Sequence, residues 1–433
     1  MQTHLAPEFK GTRDGEAAEA ILRKCVHCGF CNATCPTYQL LGDELDGPRG
    51  RIYLMKQMLE GAPVTRKTQL HLDRCLTCRN CETTCPSGVQ YGALVDIGRK
   101  LVEERVERPK GERAVRWLLK EGLSSPLFGP AMRLGQLARP LLPAALKAKV
   151  PAPSGAAAHR WPQRQHPRKV LMLLGCVQPA MMPNVNSATA RVLDAAGIQT
   201  LVADGAGCCG AIRTHLGDTD GGLVDMRRNI DAWWPLVEGL TSEGPVEAIV
   251  MNASGCGVTV KDYGHLLAQD ADYAAKAARI SALTRDLSEL LPALVPLLLP
   301  LLKPPAEGSS STAGSQRAGR LVFHPPCTLQ HGQQLRGGVE AGLRELGFDV
   351  SLAASESHLC CGSAGTYSVL QPELAYSLRD RKLGHLLATS AEPLPQPKPQ
   401  TIVSANVGCI QHLQSGTTTP VRHWVEVLDE ALT

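Results

Sequence analysis

Four cysteines in the middle of this chain recur near its end. Cys176, Cys208, Cys209 and Cys256 are answered by Cys327, Cys360, Cys361 and Cys409, displaced by 151, 152, 152 and 153 residues. The text around them keeps one order. An apolar run, "KVLMLLGC" or "RLVFHPPC", is followed by a helix-like stretch, "SATARVLDAAG" or "GGVEAGLRELG", and then by Cys-Cys-Gly. A long helical pattern and a last strand-like run, "VEAIVMNASGCG" or "QTIVSANVGC", complete each copy. Short apolar runs alternating with helical periodicity predict α/β units on a parallel sheet. Repetition at a fixed period predicts that the unit occurs twice.

Ahead of these copies stand two further runs, "CVHCGFCNATCP" (25–36) and "CLTCRNCETTCP" (75–86). C-x2-C-x2-C-x3-C-P supplies thiolates to 4Fe-4S clusters, and where two runs are present the fourth cysteine of each goes to the other cluster. The proline turns the chain away and leaves no unsatisfied N–H beside the sulfur. The spacing therefore predicts Cys25, Cys28, Cys31 and Cys85 around one cluster and Cys75, Cys78, Cys81 and Cys35 around the other. Zinc ribbons use separated C-x2-C pairs and a single ion, which would leave half of each run without a role. Around the runs, "EAAEAILRK", "RGRIYLMKQMLEG" and "ALVDIGRKLVEERVE" read as helices.

The 433 residues suffice for two or three domains. A hydrophobic fraction of 43% and a charged fraction of 20% are those of a folded globular chain. A net charge of +4 gives no electrostatic argument for nucleic acid, and the basic stretch "HRWPQRQHPRK" (159–169) reads as a solvated linker. "MQTHLAPEFKGTRDGEAAEA" lacks the apolar core of a secretory signal. "LLPALVPLLLPLL" (290–302) is too short to span a bilayer, carries three prolines, and reads as an apolar lead-in to a linker or a segment lying on a surface. Sixteen cysteines without an export signal point to the reducing cytoplasm, where dense cysteines serve metals or redox chemistry.

The expected architecture is α+β and multidomain. A helical two-cluster ferredoxin domain occupies 1–120, and a Pro/Ala/basic connector with one short amphipathic helix occupies 121–168. The first Cys-Cys-Gly α/β domain covers 169–289, and a linker over 290–319 ends in the tether "PPAEGSSSTAGSQRAG". The second Cys-Cys-Gly domain covers 320–433.

"GAGCCG" (205–210) matches G-x-G-x-x-G, but "AIRTHLGDTDGG" is a poor helix start and the other copy, "SHLCCG", loses the glycines. What recurs is Cys-Cys-Gly, so a dinucleotide site is excluded. The glycine permits a positive-φ turn that brings both sulfurs toward one site. With a cysteine from the first strand and one from a later strand end, each copy gathers four thiols at the carboxyl edge of its sheet, where open α/β folds place ligands. Cys176, Cys208, Cys209 and Cys256, and likewise Cys327, Cys360, Cys361 and Cys409, are thus candidate sites for a further iron–sulfur cluster or zinc; buried free cysteines are the alternative.

Two ferredoxin-type runs followed by two Cys-Cys-Gly copies resemble the iron–sulfur subunits that pair with flavin dehydrogenases, and heterodisulfide reductase subunits. Within that group the chain is most similar to the iron–sulfur subunits of bacterial glycolate oxidase (glycolate dehydrogenase). The stretches that carry the resemblance are "CVHCGFCNATCPTYQLLGDELDGPRGRIYL", "HLDRCLTCRNCETTCPSG", "RNIDAWWP", "ASGCG", "CTLQH" and "SHLCCGSAGTY". Departures exist: the family often ends each copy with C-x-x-C, where this chain has Ala253 and Asn406, and Pro325 stands where some members carry cysteine. His27, His324 and His358 lie near the thiols and are expected to hydrogen-bond at loop edges, with tuning or ligation of metal as the alternative.

The resemblance implies an electron-transfer subunit, part of an oxidoreductase and inactive alone, working with flavin-containing glycolate oxidase subunits and passing electrons to membrane quinone. Placement would be peripheral on the cytoplasmic face of the inner membrane. No flavin fingerprint occurs in the chain, so hydride chemistry would reside on a partner. Sister readings are a D-lactate or glycerol-3-phosphate dehydrogenase subunit, a thiol/disulfide reductase acting at the Cys-Cys-Gly sites, or an iron–sulfur sensor without turnover.

Overall fold

The computed structural model of the chain describes residues 1–143, 160–303, 317–388 and 399–432, together with 147, 150–153, 155 and 158. The N-terminal part is helical. Thr12 caps helix Arg13–Lys24 by accepting from the Gly15 N–H at 3.1 Å. Asp14 and Glu16 in its first turn and Arg23 and Lys24 in its last suit the helix dipole. Helices Pro48–Leu59, Arg66–Asp73 and Tyr91–Arg105 close around Leu22, Met55, Leu59, Leu72, Leu94 and Val95. The cysteine loops emerge from helix ends, Cys25 being the residue that stops Arg13–Lys24.

Two all-parallel sheets follow. β1 (Arg168–Met172), β2 (Ile198–Leu201), β3 (Ala248–Met251) and β4 (Thr284–Asp286) lie in the order β2-β1-β3-β4. β5 (Arg317–His324), β6 (Phe348–Leu352), β7 (Thr401–Ser404) and β8 (Val421–His423) repeat it as β6-β5-β7-β8. The duplication read from the cysteines is therefore a duplication of topology. β4 and β8 span three residues each, too few to show a periodic pattern.

Each half lends its last helix to the other. Helix Trp424–Leu432 packs on Pro183–Ala195, and helix Leu287–Leu298 packs on Gly338–Glu345. Val185, Val192, Leu291, Leu294, Leu343, Trp424 and Leu428 thus form one core spanning both halves. Arg191 and Asp429 tie the exchange at 2.6 Å.

This exchange corrects the reading of "LLPALVPLLLPLL". Its first part is neither linker nor surface segment but the buried helix Leu287–Leu298. Asp286 and Glu289 form a capping box at its start. Pro292 and Pro296 fall one turn apart on the exposed face, while Leu287, Leu291, Leu294, Val295 and Leu298 are buried. An interior proline costs about 3 kcal/mol, and each buried aliphatic side chain contributes roughly 1.5–3 kcal/mol, so burial wins.

Three smaller readings change as well. Ala211–His215 does form a short helix after Gly210. The stretch before β1 closes onto the domain, with His166 Nε2 2.8 Å from Asp194 and Arg168 opening the strand. Helix Lys110–Ser124 straddles the expected boundary at 120/121, and Phe128–Leu137 is the short amphipathic helix within the described part of the connector. Most of the tether, 304–316, lies outside the described residues.

Candidate metal centres

The two N-terminal runs share a backbone device. His27 and Gly29 in the first run, and Thr77 and Arg79 at the matching places of the second, have positive φ. Two left-handed residues curl each C-x2-C-x2-C loop around a common centre. At Gly29 the turn also needs space, since a Cβ there would sit 2.6 Å from the Arg49 guanidinium.

These loops bring the fourth cysteine of each run to the first three of the other. Cys25, Cys28, Cys31 and Cys85 line one pocket, with Arg49, Ile52 and Tyr91 beside them. Burial pushes the Cys31 thiol up to about 11, with Cys25, Cys28 and Cys85 adding to it. In the second group burial holds the Cys81 thiol well above its usual range, and Cys78, Cys75 and Cys35 act in the same direction. Thiols so placed ionise readily only with a bound cation to balance the charge, which is what a metal cluster provides. Cys81 also borders the first pocket, so the two groups adjoin.

Fixed donors surround the second group. The Thr77 N–H donates to Cys75 Sγ at 3.4 Å and the Tyr91 hydroxyl donates to it at 3.6 Å. Arg51 is fully buried, donating to the His71 carbonyl at 2.7 Å and to Thr37 Oγ1 at 3.2 Å. Burial works against its charge, but Tyr91, Cys75, Cys35 and Asp46 hold its pKa up, so it remains a cation beside the thiols.

In both Cys-Cys-Gly copies the glycine takes positive φ, 93° at Gly210 and 88° at Gly362. A Cβ at Gly362 would meet the Ala375 carbonyl oxygen at 2.3 Å. The turn sets four thiols in a hydrogen-bonded row: Cys176, Cys208, Cys209, Cys256 in one half and Cys327, Cys360, Cys361, Cys409 in the other. Cys208 accepts from both Cys176 and Cys209, which holds its pKa far below that of a free thiol. Cys256 and Cys409 sit not at strand ends but in the first turns of helices Ser254–Lys261 and Val407–Gln414. Asn406, at the place of a missing thiol, points its amide at Cys409 Sγ, 3.7 Å away.

Two features of the second site were not read from the sequence. Lys382 is 2% exposed, donates to the Ser357 carbonyl and to that of Glu356, and stands among Cys327, Cys360 and Cys361. And Cys327 hydrogen-bonds to Cys78 of the second N-terminal run. No local signal marks either, because both arise where distant segments meet. Around this junction Tyr367 Oη donates to the Arg74 carbonyl at 3.1 Å, and the His331 ring bridges Thr83 Oγ1 (3.0 Å) and the His358 carbonyl (2.8 Å).

The histidine expectation needs correction. His27 Nε2 has no hydrogen-bond partner, and the ring stands edge-on to Tyr53. His324 is 1% exposed, and neither of its ring nitrogens has a partner. Burial, reinforced by Lys382, pushes its pKa well down and leaves the ring neutral. At His358 it is the main-chain carbonyl that serves the junction.

Residues 21–89 match the family described as a 4Fe-4S dicluster domain, and residues 170–261 and 321–414 each match the family described as a Cysteine-rich domain. The glycolate oxidase iron-sulfur subunit of Escherichia coli is 52% identical over 433 residues, covering 100% of this chain and 99% of that one. The chain belongs to the family of glycolate oxidase iron–sulfur subunits. A probable member from Bacillus subtilis is 30% identical, with 94% and 91% of the two chains covered. Lactate utilization protein A of Geobacillus kaustophilus is 23% identical and covers 60% of this chain.

As a member of this family the chain carries the 4Fe-4S dicluster domain at its N-terminal end, and the gathered thiols fit it. The first thiol group opens outward, with Cys28 exposed and Val26 and Phe30 exposed beside it. The second faces inward, onto Cys327. No helix among the described residues is long and apolar enough to cross a membrane.

Proposed function

We propose that this chain conducts electrons from the flavin of a partner subunit, where glycolate becomes glyoxylate, to membrane quinone. Cys25, Cys28, Cys31 and Cys85 would hold one 4Fe-4S cluster, and Cys75, Cys78, Cys81 and Cys35 the other. Such clusters, when bound, supply transfer of one electron at a time. The observation that carries the reading is the continuity of sulfur. Cys28 reaches the surface, Cys81 adjoins both thiol groups, and Cys78 touches Cys327.

The chain's own residues shape that route. Val26 and Phe30 offer the partner an apolar rim around Cys28. Arg51 places a buried positive charge beside the second group, favouring added negative charge there, while Lys382, whose pKa burial lowers, stands among the thiols of the second Cys-Cys-Gly site. Helices Lys110–Ser124 and Phe128–Leu137, with Leu127 between them, expose Trp117, Leu118, Leu127, Leu134 and Leu137, which supports a peripheral contact with a membrane surface.

The test is reconstitution. The isolated chain should not oxidise glycolate with any acceptor dye, while co-expression with flavin-bearing subunits should yield a complex that does. Glycolate oxidation by the chain alone, or disulfide reduction by it with an artificial donor, would displace this reading.

A further inference from the structure

The two Cys-Cys-Gly sites are not equivalent. His324 Nδ1 or Nε2, Cys361 Sγ and Cys409 Sγ lie within 4.8 Å of one another, all three residues buried. An imidazole with both nitrogens unsatisfied in a closed interior is costly unless something binds it. Three residues before the first cysteine of its copy, the first half has the buried Leu173 where the second has His324. Among the described residues, only the second site therefore brings an imidazole nitrogen within reach of its thiols.

The spacing of the thiols also separates these sites from the N-terminal runs. Among the described residues no three cysteines of the N-terminal runs bring their sulfurs within 4.8 Å of one another, whereas the ligand atoms of His324, Cys361 and Cys409 do lie that close. Thiols that touch enclose less space than thiols spread around a cage with its own sulfides. One imidazole and two thiolates close together match a single tetrahedral ion, and Zn2+ is bound by such N/S sets.

We propose that His324, Cys361 and Cys409 form a mononuclear zinc-type site, so that the second Cys-Cys-Gly site holds one divalent ion through mixed imidazole and thiolate ligation. Two thiolates neutralise the ion, and a neutral imidazole adds no charge to the buried pocket. The thiols of Cys327 and Cys360 then remain on the side facing Cys78. The inference concerns this chain's own residues and does not depend on the partner or the substrate.

The full-length chain, purified anaerobically without chelator, is to be compared with His324→Leu and His324→Cys. Leucine restores what the first half carries, so the fold should tolerate it, and cysteine keeps a metal-binding donor. The expected result is about one zinc per chain, with an imidazole nitrogen at about 2.0 Å and sulfur at about 2.3 Å in its X-ray absorption. In His324→Leu the zinc should be lost while the N-terminal iron content stays. In His324→Cys zinc should remain with a sulfur-only shell. Zinc that survives His324→Leu, a sulfur-only shell in the unaltered chain, or iron in place of zinc at this site would overturn the proposal.

Discussion

The Cys327 thiol hydrogen-bonds to the Cys78 thiol, so the second N-terminal run and the second Cys-Cys-Gly site meet sulfur to sulfur. Leu76, Cys360 and Tyr367 pack around the contact and keep water from it. The first Cys-Cys-Gly site has no such neighbour among the groups acting most strongly on Cys176, Cys208 and Cys209. Replacing Cys327 by serine should therefore shift the paramagnetic signal of the second N-terminal cluster. Cys176→Ser should leave it unchanged. Equal effects of the two substitutions would show that the contact is not specific.

The crossed grouping makes a second prediction. Cys35→Ser should perturb the cluster of Cys75, Cys78 and Cys81, and Cys85→Ser the cluster of Cys25, Cys28 and Cys31. The anaerobically purified chain should contain about eight irons in its N-terminal domain, and each variant should lose one of two resolved signals. Damage restricted to the cluster nearest in sequence would contradict the grouping.

Arg51 is the most consequential buried charge near these thiols. Arg51→Met removes a cation from a site that also encloses Asp46, which is 0% exposed. Breaking such a buried set costs about 3–5 kcal/mol, though Arg74 and His71 also reach Asp46 and place the expected loss at the lower end. Chemical denaturation should show that loss, with faster release of iron from the second cluster. Arg51→Lys should recover part of both. An unchanged midpoint and iron release would remove Arg51 from the account.

His331 makes the junction sensitive to acid. Its ring is 3% exposed, and burial pushes its pKa from 6.5 down to about 4. Because the folded value is depressed, the unfolded chain binds more protons in that interval. Stability present above pH 6.5 is lost progressively as pH falls toward 4, by up to roughly 3 kcal/mol. The His358 carbonyl can only accept, so Nε2 carries the proton and Nδ1 accepts from Thr83. His331→Gln should flatten the pH dependence of unfolding between those limits. An identical slope in the variant would contradict the assignment.

Much of the site was legible because it was written as local spacing. Cys25 to Cys35 and Cys75 to Cys85 declare their chemistry within eleven residues, and the Cys-Cys-Gly copies declare a duplication that both sheets repeat. What could not be read depends on contacts between distant segments. The prolines of 290–302 suggested a linker, because propensity is local, whereas the pairing of Leu287–Leu298 with Gly338–Glu345 is not. Likewise nothing near His324 announces that its ring lacks hydrogen bonds, and nothing near Lys382 announces that it is buried.

The most direct test of conduction separates two events in the assembled complex. Stopped-flow absorbance should follow partner flavin bleached by glycolate and then reoxidised by quinone, in the unaltered complex and with Cys81→Ser, which removes the thiol adjoining both groups. The account predicts that bleaching keeps its rate in the variant while reoxidation stalls. Reoxidation at the unaltered rate would mean that electrons leave the flavin by another path, and the chain would not be their conductor.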